Sequence, residues 1–254
     1  MHNLNMRVTF PDAKALKKIV PIVADLISEG QFVATEEGIK LVAMDPASIA
    51  MVIWEMKPEA FIDYTIEGDK EIITVSMDDL KTIVKKLKQR EMVVWETDRE
   101  KNKLKILARG TIKKTFSIPL LEGEETETPI PSLEYNNVVE LDSKAIKEII
   151  DDASAIADSL KFKAEPPSKL IIKAEGEMKE MTVELTEGED AVVSIDIQEE
   201  AYASYSIDYL KKFAKAADVS DIAILKLKTD YPLWLEYRYL DKMTLIFILA
   251  PRSD

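Results

Sequence analysis

The sequence predicts an α+β chain made of two copies of one domain, each with strands in the majority and two helices packed on them. Three observations predict it. A pair of helix-like segments recurs at one fixed offset. Strand-like runs fill the intervals between helices in both halves. A glutamate- and proline-rich stretch separates the copies.

The repeat is read residue by residue. DAKALKKIV (12–20) and SMDDLKTIVKK (76–86) stand in the first half, DSKAIKEII (142–150) and SIDYLKKFAKA (206–216) in the second. Moving the first pair by 130 residues lays it on the second. Asp12 falls on Asp142, Lys14 on Lys144, Leu16 on Ile146 and Lys17 on Lys147. Ser76 falls on Ser206, Asp78 on Asp208, Leu80 on Leu210, Lys81 on Lys211 and Lys85 on Lys215. One register holds for both pairs, so the halves read as copies of a single unit.

Between the copies lies LEGEETETPIPS (121–132), with four glutamates and two prolines. Such a stretch buries little, and its prolines favour extended chain. It reads as an exposed interdomain linker joining domains 1–120 and 133–254.

Strand patterns come next. FVATEEGIKLVAM (32–44) reads as two strands around a Glu-Glu-Gly turn, IAMVIWEM (49–56) as an apolar strand, EMVVWETD (91–98) and KLKILARG (103–110) as a hairpin, and IKKTFSIPL (112–120) as a further strand. LKFKA, KLIIKAEG, EMTVELTE, AVVSIDI, AILKLKT, LWLEYRY and MTLIFILA echo them in the second half, and MHNLNMRVTF at the start passes into a strand-like run without the apolar stretch of a signal peptide.

Each helix has a capping residue at its start: Asp12, Ser76, Asp142 and Ser206. Each then carries an apolar stripe: Leu16/Ile19/Val20/Val23, Leu80/Ile83/Val84/Leu87, Ile146/Ile149/Ile150/Ala153 and Ile207/Leu210/Phe213/Ala214/Ala217. Pro21 is expected to kink or end the first helix early.

Composition closes several functions. The chain has 254 residues, 46% of them hydrophobic, and no run of 18 apolar residues, so no membrane span is expected. There is no cysteine, which excludes disulfides, thiolate catalysis and zinc–sulfur sites. His2 is the one histidine, which excludes a histidine triad or an HExxH zinc site. The seven glycines make neither a phosphate-binding loop nor a dinucleotide-binding turn. Carboxylate-only metal sites stay open, although no convincing acidic constellation with a nearby base stands out; catalysis and cofactors are not expected.

Net charge is −13, which taken alone argues against nucleic acid. The distribution changes that. Segments 12–23, 76–90, 142–154 and 206–218 hold 13 basic and 9 acidic residues, net +4, which leaves −17 for the rest. Five of those acids sit at caps or in first turns, where they complement the helix dipole. The outward faces are lysine-rich: Lys14, Lys17 and Lys18; Lys81, Lys85 and Lys88 at i, i+4, i+7 with Lys86 beside them; Lys144 and Lys147; Lys211, Lys212 and Lys215. Asp151 and Asp152 make the third helix the weakest. Lysines on a solvated helix face are common, and that reading stands beside the functional one. In an otherwise acidic chain, four such helices in a twofold repeat point to one polyanion, bound through phosphates without sequence preference. No aromatic cluster at base-stacking spacing accompanies them, which argues against a single-strand reader.

These residues bring a family into view. GIKLVAMDPASIAMV (38–52), IPSLEY (130–135), SIDYLKKFAKA (206–216), DYPLWLEY (230–237) and LAPR (249–252), in that order and spacing, resemble the archaeal and eukaryotic sliding clamp family, proliferating cell nuclear antigen, over essentially the whole length. The resemblance implies three subunits joined head to tail in a closed ring, sheets outside, helices lining a hole that encircles double-stranded DNA, and a cytoplasmic, nucleoid-associated protein in an archaeon or a nuclear one in a eukaryote. It implies a processivity factor for replication and repair, loaded by a clamp loader and tethering DNA polymerase, flap endonuclease and DNA ligase through short interacting peptides. The ring would be a homo-trimer or a hetero-trimer with paralogues; one subunit of a hetero-trimeric or checkpoint-type clamp is the alternative.

By the same resemblance a peptide pocket is built from Met44, Pro46, Ile49 and Met51, from Ile130, Pro131 and Tyr135, and from Pro232, Ala250 and Pro251, an apolar cup in which methionine adapts to several partners. Read without it, Met44, Ile49 and Met51 are ordinary core. Subunit contact is expected between strand candidates 111–117 and 178–186, with Lys113, Lys114 and Phe116 on one side and Met178, Glu180 and Glu184 on the other. Glu180 and Glu184 share a strand face, whereas Lys113 and Lys114 point to opposite faces. These charges could equally be ordinary edge protection against aggregation. The segment YRYLDKMTL lacks the glycine-rich turn of many members, which leaves the fold alone and bears on partner preference.

Overall fold

The computed structural model describes residues 5–253; His2 lies outside them. Its chain divides into two compact units. The first holds the described residues up to Pro46, Val52–Ile130 and Tyr239–Leu245. The second holds Ala47–Met51, Pro131–Arg238 and the residues from Ile246 on.

In the first unit, β1 (Met6–Phe10) lies between β5 (Asp63–Ile66) and β7 (Met92–Asp98); β8 (Lys103–Arg109) and β9 (Lys113–Pro119) follow, giving the order β5-β1-β7-β8-β9. The remaining strands are β2 (Glu29–Thr35), β3 (Gly38–Met44), β4 (Ala50–Met56) and β6 (Lys70–Ser76), in the order β4-β3-β2-β6. Helices α1 (Lys14–Leu26) and α2 (Met77–Lys86) pack side by side.

The second copy in the sequence repeats this plan. β14 (Val192–Asp196), β10 (Asn137–Asp142), β16 (Ile222–Leu227), β17 (Leu233–Tyr239) and β18 (Met243–Leu249) run in the order β14-β10-β16-β17-β18. β13 (Glu180–Thr186), β12 (Lys169–Glu175), β11 (Ser159–Glu165) and β15 (Ala201–Ser206) run in the order β13-β12-β11-β15, with α3 (Ser143–Ser154) and α4 (Ile207–Ala214) as the helix pair. An offset of 130 carries β4 onto β13 and β9 onto β18 end to end. Four strands had not been singled out from their own residues: β5, β6, β10 and β15.

Burial explains the pattern. The β2–β3 hairpin pairs Thr35 with Gly38 across Glu36 and Glu37. Gly38 has φ +118°, and a Cβ there would stand 2.0 Å from the Met56 carbonyl oxygen, so only glycine fits. Phe10, Phe32, Trp54 and Trp95 pack edge to face at the centre of the first unit, with centroid distances of 5.0–5.7 Å. In the second, Phe213 of α4 stacks on Phe247 at 4.4 Å.

Three local expectations are corrected. α1 does not end at Pro21 but runs to Leu26, because Ile19, Val20, Ile22, Val23 and Leu26 are buried on its inner face and outweigh the hydrogen bond that proline removes. Ser206 sits at the start of α4 but accepts no capping bond with its side chain, whereas Ser76 accepts from Asp79 N and Asp142 from Lys144 N and Ala145 N. Asp12 stands one residue ahead of the first helix boundary, Ala13, yet its carboxylate accepts from Lys14 N at 2.9 Å.

Candidate nucleic-acid and partner interfaces

The helices present their lysines as the apolar stripes turn inward. On α1, Leu16, Ile19, Val20 and Val23 are fully buried, Lys14 is exposed, and Lys17 and Lys18 are half-buried. Lys17 Nζ donates to the carbonyls of Val84 and Lys85, both at 3.2 Å, and so neutralises the carbonyl end of α2. Lys18 Nζ stands 5.8 Å from the centre of the Tyr239 ring. On α2, Lys81 is half-buried, and Lys85 and Lys86 are exposed. Lys88 leaves the expected i, i+4, i+7 row: α2 ends at Lys86, Leu87 is extended, and Lys88 lies exposed in the following turn.

On the helices of the second unit several lysines have neighbouring partners. Lys144 is exposed, but Lys147 pairs with Asp151 at 3.3 Å one turn on. Asp142, Glu148, Asp151, Asp152 and Asp218 share one shallow hollow with Lys144 and Lys147. On α4, Lys211 is exposed and Lys212 lies 5.7 Å from the Tyr209 ring; Lys215 opens the short 3-10 turn that follows. Among the described residues no group of three or more acidic or histidine side chains is placed to hold a metal ion.

The residues assigned to a peptide pocket are divided between the units. In the first, Met44 and Ile130 are 37% and 39% exposed and Pro46 is exposed, so none of them is core. In the second, Ile49 is 38% exposed and Met51 is buried. The Ile49 carbonyl accepts from Ala250 N at 2.9 Å. Tyr135 donates its hydroxyl to the Pro232 carbonyl at 2.6 Å, and its ring meets Tyr231 and Trp234 edge-on. Burial raises the Tyr135 pKa, so the hydroxyl remains a donor at any physiological pH. Pro131 is exposed, and Pro232, Ala250 and Pro251 are half-buried. Sequence reasoning missed Tyr231 and Trp234 as partners of Tyr135, although DYPLWLEY contains both.

It also missed how the linker is held. Leu121 N donates to Thr74 O at 2.8 Å. The Gln31 side-chain amide donates to Glu124 O at 3.1 Å and accepts from Thr126 N at 2.8 Å, as a neighbouring strand would. Lys70 Nζ reaches both carboxylate oxygens of Glu125, at 2.9 and 2.8 Å. Within the first unit, residues 125–130 then border a groove of about 580 Å³ over Val33, Val42 and Met56.

β9 and β13 are among the strands that end their sheets. β9 has β8 as its neighbour and β13 has β12, and no second strand pairs with either among the described residues. Lys113 is exposed, and Phe116 is half-buried on the opposite face. Lys114 is engaged inside the unit with buried Glu91, at 3.1 Å. Glu180 and Glu184 lie exposed on one face of β13; Met178 is 96% exposed in the turn just before the strand begins.

A duplicated α+β fold with two lysine-bearing helices in each copy defines the DNA-clamp class of architecture. The chain belongs to the proliferating cell nuclear antigen family: residues 5–120 match its N-terminal domain and residues 129–252 its C-terminal domain. It is 35% identical over 247 residues to the DNA polymerase sliding clamp of Pyrococcus abyssi, covering 97% of this chain and 98% of that one. It is likewise 35% identical, over the same shares, to DNA polymerase sliding clamp 1 of Thermococcus kodakarensis. The crystal structure of PCNA from Thermococcus kodakaraensis superposes with a TM-score of 0.91 at 26% identity, over 97% of this chain and all of that one.

Proposed function

We propose that this chain is a DNA polymerase sliding clamp: a ring-forming processivity factor that encircles duplex DNA and tethers the polymerase and other replication and repair proteins to it. The observation that carries the reading is full-length membership in the family, with both halves matched and relatives named as sliding clamps aligned over 97% of the chain. In this reading 1–120 and 133–254 are the clamp domains and 121–132 the linker. The lysines of α1–α4 face the DNA phosphates. Met44, Pro46, Ile49, Met51, Ile130, Pro131, Tyr135, Pro232, Ala250 and Pro251 receive partner peptides. β9 of one subunit meets β13 of the next, and three subunits close the ring.

The role needs no catalytic group. The clamp holds DNA by topology, so its contacts with phosphate have to be weak enough to slide, and an overall charge of −13 is compatible with lysines gathered on the helices. The protein works on the cell's DNA in the cytoplasm, at the nucleoid; no helix among the described residues is long and apolar enough to cross a membrane. Clamp loader, flap endonuclease and DNA ligase are the further partners of this reading.

The test is processive synthesis on a primed circular template with a cognate polymerase and clamp loader. Product length should rise several-fold when the chain is added, and sedimentation should give the mass of three subunits. A monomer at micromolar concentration with no effect on synthesis would sink the reading.

A further inference from the structure

The two copies treat one sheet face differently. In the first, Leu121 N, just past β9, donates to Thr74 O on β6 at 2.8 Å. The linker then crosses the face turned away from the core: Gln31 holds Glu124 and Thr126, and residues 125–130 border the groove over Val33. Gln31 lies opposite Thr74, and Val33 opposite Ile72. In the second copy Arg252 N, just past β18, donates to Ser204 O on β15 at 2.7 Å. Ser204 is the counterpart of Thr74 at the offset of 130, so the tail after β18 starts on the same course as the linker after β9.

Beyond that bond the residues change. Lys161 stands in the place of Gln31, Lys163 in that of Val33 and Tyr202 in that of Ile72. Lys173 lies directly across from Lys161 on β12. Alternation along the strands puts all four side chains on one face, turned away from buried Leu160 and Phe162. Lys163 and Lys173 are exposed, and Tyr202 is 48% exposed. Like charges set opposite each other across a strand pair are destabilising, so folding alone gives no reason for Lys161 to face Lys173. The neighbouring carboxylates stand at the margins. Glu175 reaches Lys161 at 3.2 Å and Glu165 reaches Lys163 at 3.1 Å, each from the last residue of its strand, and Glu184 on β13 is 3.7 Å from Lys169.

The first copy shows what such a face can receive. The stretch of linker laid on the equivalent face carries Glu122, Glu124, Glu125 and Glu127, and Lys70 Nζ holds Glu125. We propose that the face formed by Lys161, Lys163, Lys173 and Tyr202 docks an acidic, extended segment of a partner protein, laid across β11 and β12 as the linker is laid across β2. A lysine in the place of Gln31 offers a backbone N–H no acceptor but offers a carboxylate a charged donor, so acidic side chains are selected. Exposed ion pairs are individually weak, and Glu165 and Glu175 can yield their lysines to the incoming segment at little cost. None of these residues belongs to the helix lysines assigned to DNA or to the peptide pocket, so the surface adds a second kind of partner contact to the sliding-clamp reading.

The probe is a fluorescein-labelled peptide of the linker sequence LEGEETETPIPS (121–132), beside a version with its four glutamates changed to glutamine. The net charge of −13 repels an acidic peptide over most of the surface, so saturable binding reports a local basic site. In fluorescence anisotropy at low salt the acidic peptide should bind the full chain saturably. The glutamine version should bind about ten-fold more weakly, and Lys161→Gln with Lys163→Gln and Lys173→Gln should weaken the acidic peptide by a similar factor. A thermal melt of the triple variant confirms that it is folded. Carbodiimide coupling of the peptide to the unmodified chain, followed by mass mapping, should place the new amide bonds on Lys161, Lys163 or Lys173. Equal binding by the triple variant, equal binding of the glutamine peptide, coupling confined to the lysines of α1–α4, or no saturable binding overturns the proposal. Single-stranded oligothymidylate that binds this face more tightly than the peptide overturns the choice of ligand. Processive synthesis by the triple variant, measured as above, tests the sliding-clamp reading separately.

Discussion

α1 and α3 hold equivalent places in two copies of one plan and match on the face turned to the core, yet they differ on the face turned away. Leu16, Ile19, Val20 and Val23 answer to Ile146, Ile149, Ile150 and Ala153, all of them buried. The polar faces have diverged. Lys17 serves the carbonyl end of the neighbouring helix, whereas its counterpart Lys147 is matched by Asp151 on its own helix. The capping aspartate accepts two backbone amides on α3 and one ahead of α1. Packing tolerates little drift, whereas exposed charge is reassigned at little cost in stability.

The largest effect that could break this comparison lies in the core. Leu16→Ala and Ile146→Ala should each cost about 2–5 kcal/mol, and the two costs should agree to within about 1 kcal/mol in chemical denaturation. A large inequality would mean that the two frames are not equivalent.

Charge reversal comes next and should be unequal. Lys81→Glu with Lys85→Glu should weaken DNA association at low salt by about ten-fold, roughly 1.4 kcal/mol, and flatten its salt dependence. Lys144→Glu with Lys147→Glu should do less, because Lys147 is already matched by Asp151. Equal losses, read from binding to duplex DNA over a salt series, would show that both helix pairs meet phosphate alike.

The caps are smaller again. Asp142→Ala and Ser76→Ala should each cost about 1 kcal/mol, whereas Ser206→Ala, which removes no capping bond, should stay within a few tenths. Thermal melts of the three variants check the order.

The smallest expected effect is a pH dependence set by Glu91. Lys88 N–H, then the Lys114 ammonium, hold the buried Glu91 carboxyl below the usual carboxylate range. A lowered native pKa makes the charged form stabilising. That contribution is complete above the unfolded value near 4.5 and is lost as pH falls through the lowered native one. Glu91→Gln should therefore differ most from the parent at neutral pH and converge on it in acid.

Much of this architecture was legible in the residues because periodicity and repetition reinforce one another. The helices and most strands follow from apolar spacing. The strands that escaped notice have weak patterns of their own: in β5, Asp63 and Thr65 are exposed and Tyr64 and Ile66 only half-buried. The repeat held the missing signal, since β14 was recognised and lies 130 residues beyond β5. Pro21 misled because local backbone chemistry says nothing about the tertiary burial that holds α1 together. The candidate interfaces were legible only as residue lists. That Lys114 turns to Glu91, or that Gln31 reaches a linker more than 90 residues away, depends on long-range proximity that no local pattern encodes.

Gln31 grips main-chain atoms, the carbonyl of Glu124 and the amide of Thr126, so its hold is blind to which side chains that stretch displays. Residues 124 and 126 can be exchanged without loosening the strap. Selection on the strap's side chains is then left to whatever lies against it, and a lineage can retune the identity of its visitors while the fastening underneath stays as it was.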